Sequence, residues 1–228
     1  RGALRDTSGF GKDVFILAAV HYVLDRAERI AAEYGTGQVE VLINVSLGIT
    51  GGPKNGRYQL ERALDDLADA YSTSPDADGI DRLGEISIAL PTGNNYASQL
   101  SAEMSVPVAG SSAEIGWRIQ ANDRTPNYVE MWLDEPGGAS LEDIEGDLGL
   151  VLVTPAGEEL RMSAPEHAPT LIAGPVVLNG ETIGQISIDR YAGLIRYMAA
   201  LAPTEHEATW QTRTAPNAPA GLWKIRLE

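Results

Sequence analysis

The sequence predicts an α/β region, a parallel sheet with helices, followed by a β-sandwich. Three observations carry this. A helix-strand-helix-strand order occupies roughly the first hundred residues. Its two strands are short apolar runs, "VEVLINVS" and "EISIAL", each leaving into a glycine-containing loop. From about Ala113 the pattern changes to short strands split by turns. The boundaries read from this change are 1–112 and 113–228, and 228 residues suffice for one large domain or two small ones.

The elements follow in order. From Asp13 to Tyr34, the residues Val14, Leu17, Val20, His21, Leu24, Ala27, Ile30 and Ala31 recur near helical spacing, and Gly35 stands at the expected stop. This places His21 on the apolar side of the helix, as a buried or half-buried structural residue. Val39 to Ser46 is a near-continuous apolar run, expected to be a strand covered on both faces. Asn44-Val45-Ser46 is a glycosylation sequon inside that strand, so modification is not expected there. A loop with Gly48, Gly51, Gly52 and Gly56 follows. A second helix spans about Gln59 to Tyr71, with Leu60, Ala63, Leu64 and Leu67 on one face. "EISIAL", Glu85 to Leu90, is a second buried strand, running into Pro91-Thr92-Gly93-Asn94-Asn95. A strand-helix-strand unit with a right-handed crossover implies parallel pairing.

In the second half the strand candidates are "EIGWRIQA", "YVEMWL", "LGLVLVTPAGEEL", "TIGQISID", "LIRYMAALA" and "LWKIRLE". Pro136-Gly137-Gly138, Pro155-Ala156-Gly157 and Asn179-Gly180 are turn signals. The period of "LIRYMAALA" also fits a helix. Trp117, Trp132, Trp210 and Trp223 all lie in this half and are expected to be core or half-buried.

Composition narrows the chemistry. The net charge of -15 opposes nucleic acid and anionic membrane surfaces, because phosphate binding needs a basic face. There is no cysteine, hence no disulfide framework and no cysteine metal site. No apolar run reaches membrane-spanning length. The chain begins at Arg1, with no basic-then-apolar leader, and reads as a piece of something longer. The Gly48 loop does not fit a phosphate-binding loop: Pro53 and Asn55 stand where Gly and Ser/Thr are needed around Lys54. His167 and His206 sit in polar loops without a second ligand at metal spacing, so no metal or other cofactor is assigned.

Position singles out two loops. In open parallel sheets, ligands bind beyond the carboxyl ends of the strands. The Gly48 loop and the Gly93-Asn94 loop both leave such ends. One offers bare backbone, the other a side-chain amide donor.

"INVSLG" with a glycine-rich loop, then "LERALDDLADA", then "ISIALPTGNN", resembles consecutive segments of the subtilisin-like serine proteases over residues 10 to 100. The resemblance implies a partial subtilisin-like parallel sheet. It places Ser46, Leu47 and Gly48 beside a bound peptide, and Asn94 after Gly93 as the oxyanion-hole donor. "LVLVTPAGEEL" and "APAGLWKIRLE" are similar to phrases of a jelly-roll-like sandwich inserted in some large bacterial members. The departures matter more than the matches. No Gly-Thr-Ser occurs, and no His is followed by Gly, so the family's nucleophile and base contexts are missing. Asp78-Gly79 and Asp81 lie in a helix-strand loop and do not inherit the catalytic aspartate's role. Pro91 replaces a small residue and removes a backbone donor, so the strand is expected to end early.

The reading implied is an internal segment of a protease. Its partners are a peptide or protein substrate and the rest of the parent chain, and a secreted or cell-envelope location is favoured. Calcium sites of irregular loop geometry, common in that family, are not legible in the sequence. Two alternatives stand beside it. One is a non-catalytic peptide-binding module of the same fold. The other is an unrelated α/β protein with a carbohydrate- or protein-binding sandwich.

Overall fold

A computed structural model describes residues 13–35, 38–73, 83–91, 98–105, 109–134, 137–191, 193–205 and 216–228. The chain divides into two compact units, Arg1–Ser101 and Ala102–Glu228.

In the first unit, helix α1 spans Asp13–Tyr34 and buries Ile16, Val20, Leu24 and Ala31. Gly35 ends it with a φ of 59°, a left-handed backbone that glycine adopts at little cost. Strand β1 (Val39–Asn44) pairs in parallel with strand β2 (Leu83–Ala89), and helix α2 (Gln59–Thr73) connects them. The core of this unit is Ile16, Val20, Leu24, Leu60, Leu64 and Leu83, with Val39, Val41, Ile43, Ile86 and Ile88 packed against it. Burial along β1 alternates, so one face of the two-stranded sheet meets the helices.

The other face is uncovered, which corrects the expectation of a strand buried on both sides. Glu40, Leu42 and Asn44 are exposed, Leu42 to 76%. The cause is visible in hindsight. Two of those three outward positions are polar, so "VEVLIN" is an alternating run more than a continuous one. Asn44 of the sequon is therefore exposed as well. His21 is also exposed, not buried. It lies one position beyond the buried stripe, and its ring meets that of Tyr71 edge-on at 5.6 Å.

The second unit is built from antiparallel strands in two sheets. The five-stranded sheet has the order β4 (Asn127–Asp134), β10 (Leu194–Leu201), β9 (Glu181–Tyr191), β8 (Leu171–Leu178), β7 (Glu166–Ala168). The four-stranded sheet has the order β3 (Ala113–Ile119), β11 (Gly221–Leu227), β5 (Leu150–Val153), β6 (Glu159–Leu160). Helix α3 (Leu141–Asp147) contributes Leu141 and Ile144 to the core between them. That core joins Ile119, Leu152, Trp223, Ile225 and Leu227 of one sheet to Ile172, Ile186, Ile188, Ile195 and Tyr197 of the other. Each fully buried aliphatic side chain of this kind contributes about 1.5–3 kcal/mol before entropy is set against it.

The ambiguous "LIRYMAALA" is the interior strand β10. Ile195, Tyr197, Ala199 and Leu201 face inward at a period of two, and all eight residues pair with β4 and with β9. Strand β8 and helix α3 are findings the sequence reading did not anticipate. Pro175 sits within β8 and argues against a central strand. It is tolerated because β7 pairs only with Leu171, Ile172 and Ala173, so at Pro175 that side of β8 has no ladder bond to lose. The Pro175 carbonyl instead accepts from the Ser163 amide at 3.0 Å. The predicted turns at Thr154–Gly157 and Asn179-Gly180 form, the latter with φ of 53° and 81°. Of the tryptophans, Trp223 is fully buried, and Trp117 and Trp132 are half-buried; Trp210 lies outside the described residues.

Candidate substrate-binding edge

Parallel pairing sets the carboxyl ends of β1 and β2 at one edge. The register sets Asn44 beside Ala89, and the Val45 amide donates to the Ala89 carbonyl at 3.0 Å. The two strands therefore end side by side. Strand β2 ends at Ala89, two residues before Pro91, as expected where a residue precedes proline and the donor is lost.

Ser46 is exposed at this edge, Leu47 is half-buried against the helices, and Gly48 is buried. Gly93 and Asn94 lie outside the described residues, as do His206 and the Asp78–Asp81 loop.

The glycine loop is shaped by its own backbone. Gly52 and Gly56 have φ of 91° and 78°, and Lys54 has 51°. The Tyr58 ring lies 3.5 Å from where a Gly52 side chain would begin, which is ordinary contact, so Gly52 is required by its dihedral angle and not by lack of room. Asn55 accepts from the Arg57 amide at 3.1 Å, and Glu61 accepts from the Tyr58 amide at 3.2 Å. The Tyr58 hydroxyl donates to Asp13 at 2.9 Å, tying the start of α2 to the start of α1. These bonds hold the loop that leads away from Ser46–Gly48.

Among the described residues no acid-base constellation accompanies the edge. His21 and Tyr71 make a 3.4 Å polar contact on the helices, and burial with nearby Asp25 raises the Tyr71 hydroxyl above its ordinary pKa. His167 meets Glu145 at 3.4 Å in the other unit. Among the described residues there is no group of three or more histidines and carboxylates suited to a metal ion. No described helix is long and apolar enough to cross a membrane.

The sequence reading missed a groove between α2 and β2. Leu64, Ala68, Ile86, Ile88 and Leu90 line it, Glu61 and Asp65 stand at its rim, and its volume is about 310 Å3. Its signal was present in α2, where Glu61, Leu64, Asp65 and Ala68 fall on one side at helical spacing. Comparison with protein-family models, with curated proteins and with solved structures finds no match to this chain.

Proposed function

We propose that this chain is an internal segment of a subtilisin-like serine endopeptidase, supplying the substrate-binding strand and the oxyanion-hole amide. The supporting observation is the register of β1 on β2, whose ends lie side by side, with "SLG" next in sequence after one and "PTGNN" after the other. In that reading a peptide lies along Ser46, Leu47 and Gly48, and Asn94 donates to the oxygen on which charge develops. A donor aimed at that charge favours the transition state over bound substrate. The nucleophile and the base come from other parts of the parent chain, since neither sequence context occurs here.

Two measurements test this. The chain alone takes up no fluorophosphonate serine-hydrolase probe, and covalent labelling at any serine would sink the segment reading. In the intact parent, Asn94→Ala lowers kcat about a hundred- to thousand-fold with KM nearly unchanged, a magnitude belonging to subtilisin itself. Asn95→Ala does much less. Wild-type kcat for both variants would reduce Asn94 to a turn residue. A parent that binds extended peptides yet neither labels nor cleaves them would be the peptide-binding module instead.

A further inference from the structure

We infer that the recess where β3 ends and β11 begins takes a carboxylate side chain of a partner peptide, held by Arg118 and Gln120. The inference stands apart from the protease reading. It concerns the second unit, whose core is closed between its own two sheets, so the recess does not wait for a further strand of the parallel sheet.

The recess is open, about 560 Å3 in volume, and lined by Arg118, Ile119, Gln120, Ala121, Ala220 and Gly221. Ile119 is buried in the core, so Arg118 and Gln120 stand on the outer face of the four-stranded sheet, and both are exposed. Among the described residues Arg118 is the one cation of this unit with no ion pair or hydrogen bond. By contrast, Arg196, Lys224 and Arg226 each meet a carboxylate within 2.7 Å, and Arg190 donates to the Ala139 carbonyl. The Gln120 side-chain amide also makes no hydrogen bond among the described residues; only its backbone carbonyl is used, accepting from the Thr204 hydroxyl at 2.8 Å. Across the ladder from Arg118 stands Leu222, 49% exposed. It leans over Gly116, with its Cδ1 3.2 Å from where a Gly116 side chain would begin, and so borders the recess without filling it.

Charge and shape then select the occupant. A guanidinium presents a planar fork of donors that fits the two oxygens of a carboxylate. The Gln120 amide, two residues along on the same face, adds a neutral donor. Lys224 of β11 is already held by Glu114, so the recess offers a single free cation, which matches a single negative charge. A phosphate carries nearly two charges, and a chain of net charge -15 disfavours it more than a monoanion. A free acid would find only these two polar contacts in a wide recess. A peptide also sets an apolar neighbour against Leu222 and takes that side chain out of water.

The test uses the 228-residue chain and three capped, fluorescent pentapeptides that differ only in the central residue. The sequence is Ser-Leu-X-Leu-Ser, with X glutamate, glutamine or phosphoserine. The glutamate peptide is expected to bind, with amide shifts confined to residues 116–122 and 220–222. The other two are expected to bind about threefold to tenfold more weakly. Arg118→Gln is expected to weaken the glutamate peptide by the same factor and to leave the glutamine peptide unchanged. The Tm of that variant should not move, because the guanidinium holds nothing within the chain. Equal affinity for the glutamate and glutamine peptides would overturn the inference. So would a glutamate peptide indifferent to Arg118→Gln, tighter binding of the phosphoserine peptide, shifts elsewhere in the chain, or no binding.

Discussion

Tyr197 shows how one polar atom holds an element in place. The residue is fully buried on β10, yet its hydroxyl donates to the Leu148 carbonyl at 2.8 Å and lies 3.3 Å from that of Ile144, at the end of α3. A helix of seven residues has little stability of its own, so its carbonyl ends need partners. Tyr197→Phe removes the donor and strands the Leu148 carbonyl. The expected loss is about 1–3 kcal/mol, read from urea unfolding. Burial, and secondarily the charge of Glu145, raises the phenol above its ordinary pKa. With the folded value above the unfolded one, this contribution is fully present below about pH 10 and is lost as pH rises beyond it. Wild-type stability should therefore fall at alkaline pH more steeply than that of Tyr197→Phe. Parallel pH curves would refute the assignment.

At the scale of elements, α3 begins with a capping box. The Ser140 hydroxyl accepts from the Asp143 amide at 3.0 Å, and the Asp143 carboxylate accepts from the Ser140 amide at 3.0 Å. Ser140→Ala should cost about 1 kcal/mol and speed amide exchange in the first turn of α3. Those hydrogen bonds also hold the Asp143 carboxyl below its ordinary range. Its contribution is present above about pH 4 and disappears as pH falls through the lowered value. The Asn179-Gly180 turn was legible in the chain, whereas the Ser-x-x-Asp pattern of α3 stands in it but was not read as a helix start. The strand β8 before that turn was not read either, since Pro175 counts against a strand until its neighbours are known. Across the outer face of the five-stranded sheet, Trp132, Arg196 and Asp189 stand in one register row. Arg196 meets Asp189 at 2.6 Å and Glu130 at 3.3 Å, and lies 5.5 Å from the Trp132 ring. Pairing brought together residues from three separate strands, which no reading of a single strand could supply.

The two units differ in what they can sustain alone. The second has a described core of 20 buried residues drawn from both of its sheets, the first a described core of six around two parallel strands. Parallel sheets are ordinarily covered on both faces, and a two-stranded sheet is marginal in water. The first unit also exposes Phe15, Tyr22, Ile30 and Tyr34 along α1, and Leu42 on the sheet. A fragment of residues 102–228 should therefore melt cooperatively with dispersed amide signals, and a fragment of residues 1–101 should not. A disordered 102–228 fragment would mean that its core depends on the other unit.

The sequence by itself determined the order of helices and strands in the first unit, because helical spacing, an apolar run and a glycine stop are local properties. It also determined the change to turn-punctuated strands near Ala113. It placed a strand's end near Gly48, where the apolar run meets glycine, but took Ser46 into the strand, which ends at Asn44. Tertiary structure alone decided three things. It left one face of β1 open, because burial depends on what other segments pack there. It made "LIRYMAALA" a strand, because eight paired residues on each side outweigh an ambiguous period. And it set Val45 against Ala89, because the meeting of two strand ends 44 residues apart is a property of pairing and not of either strand.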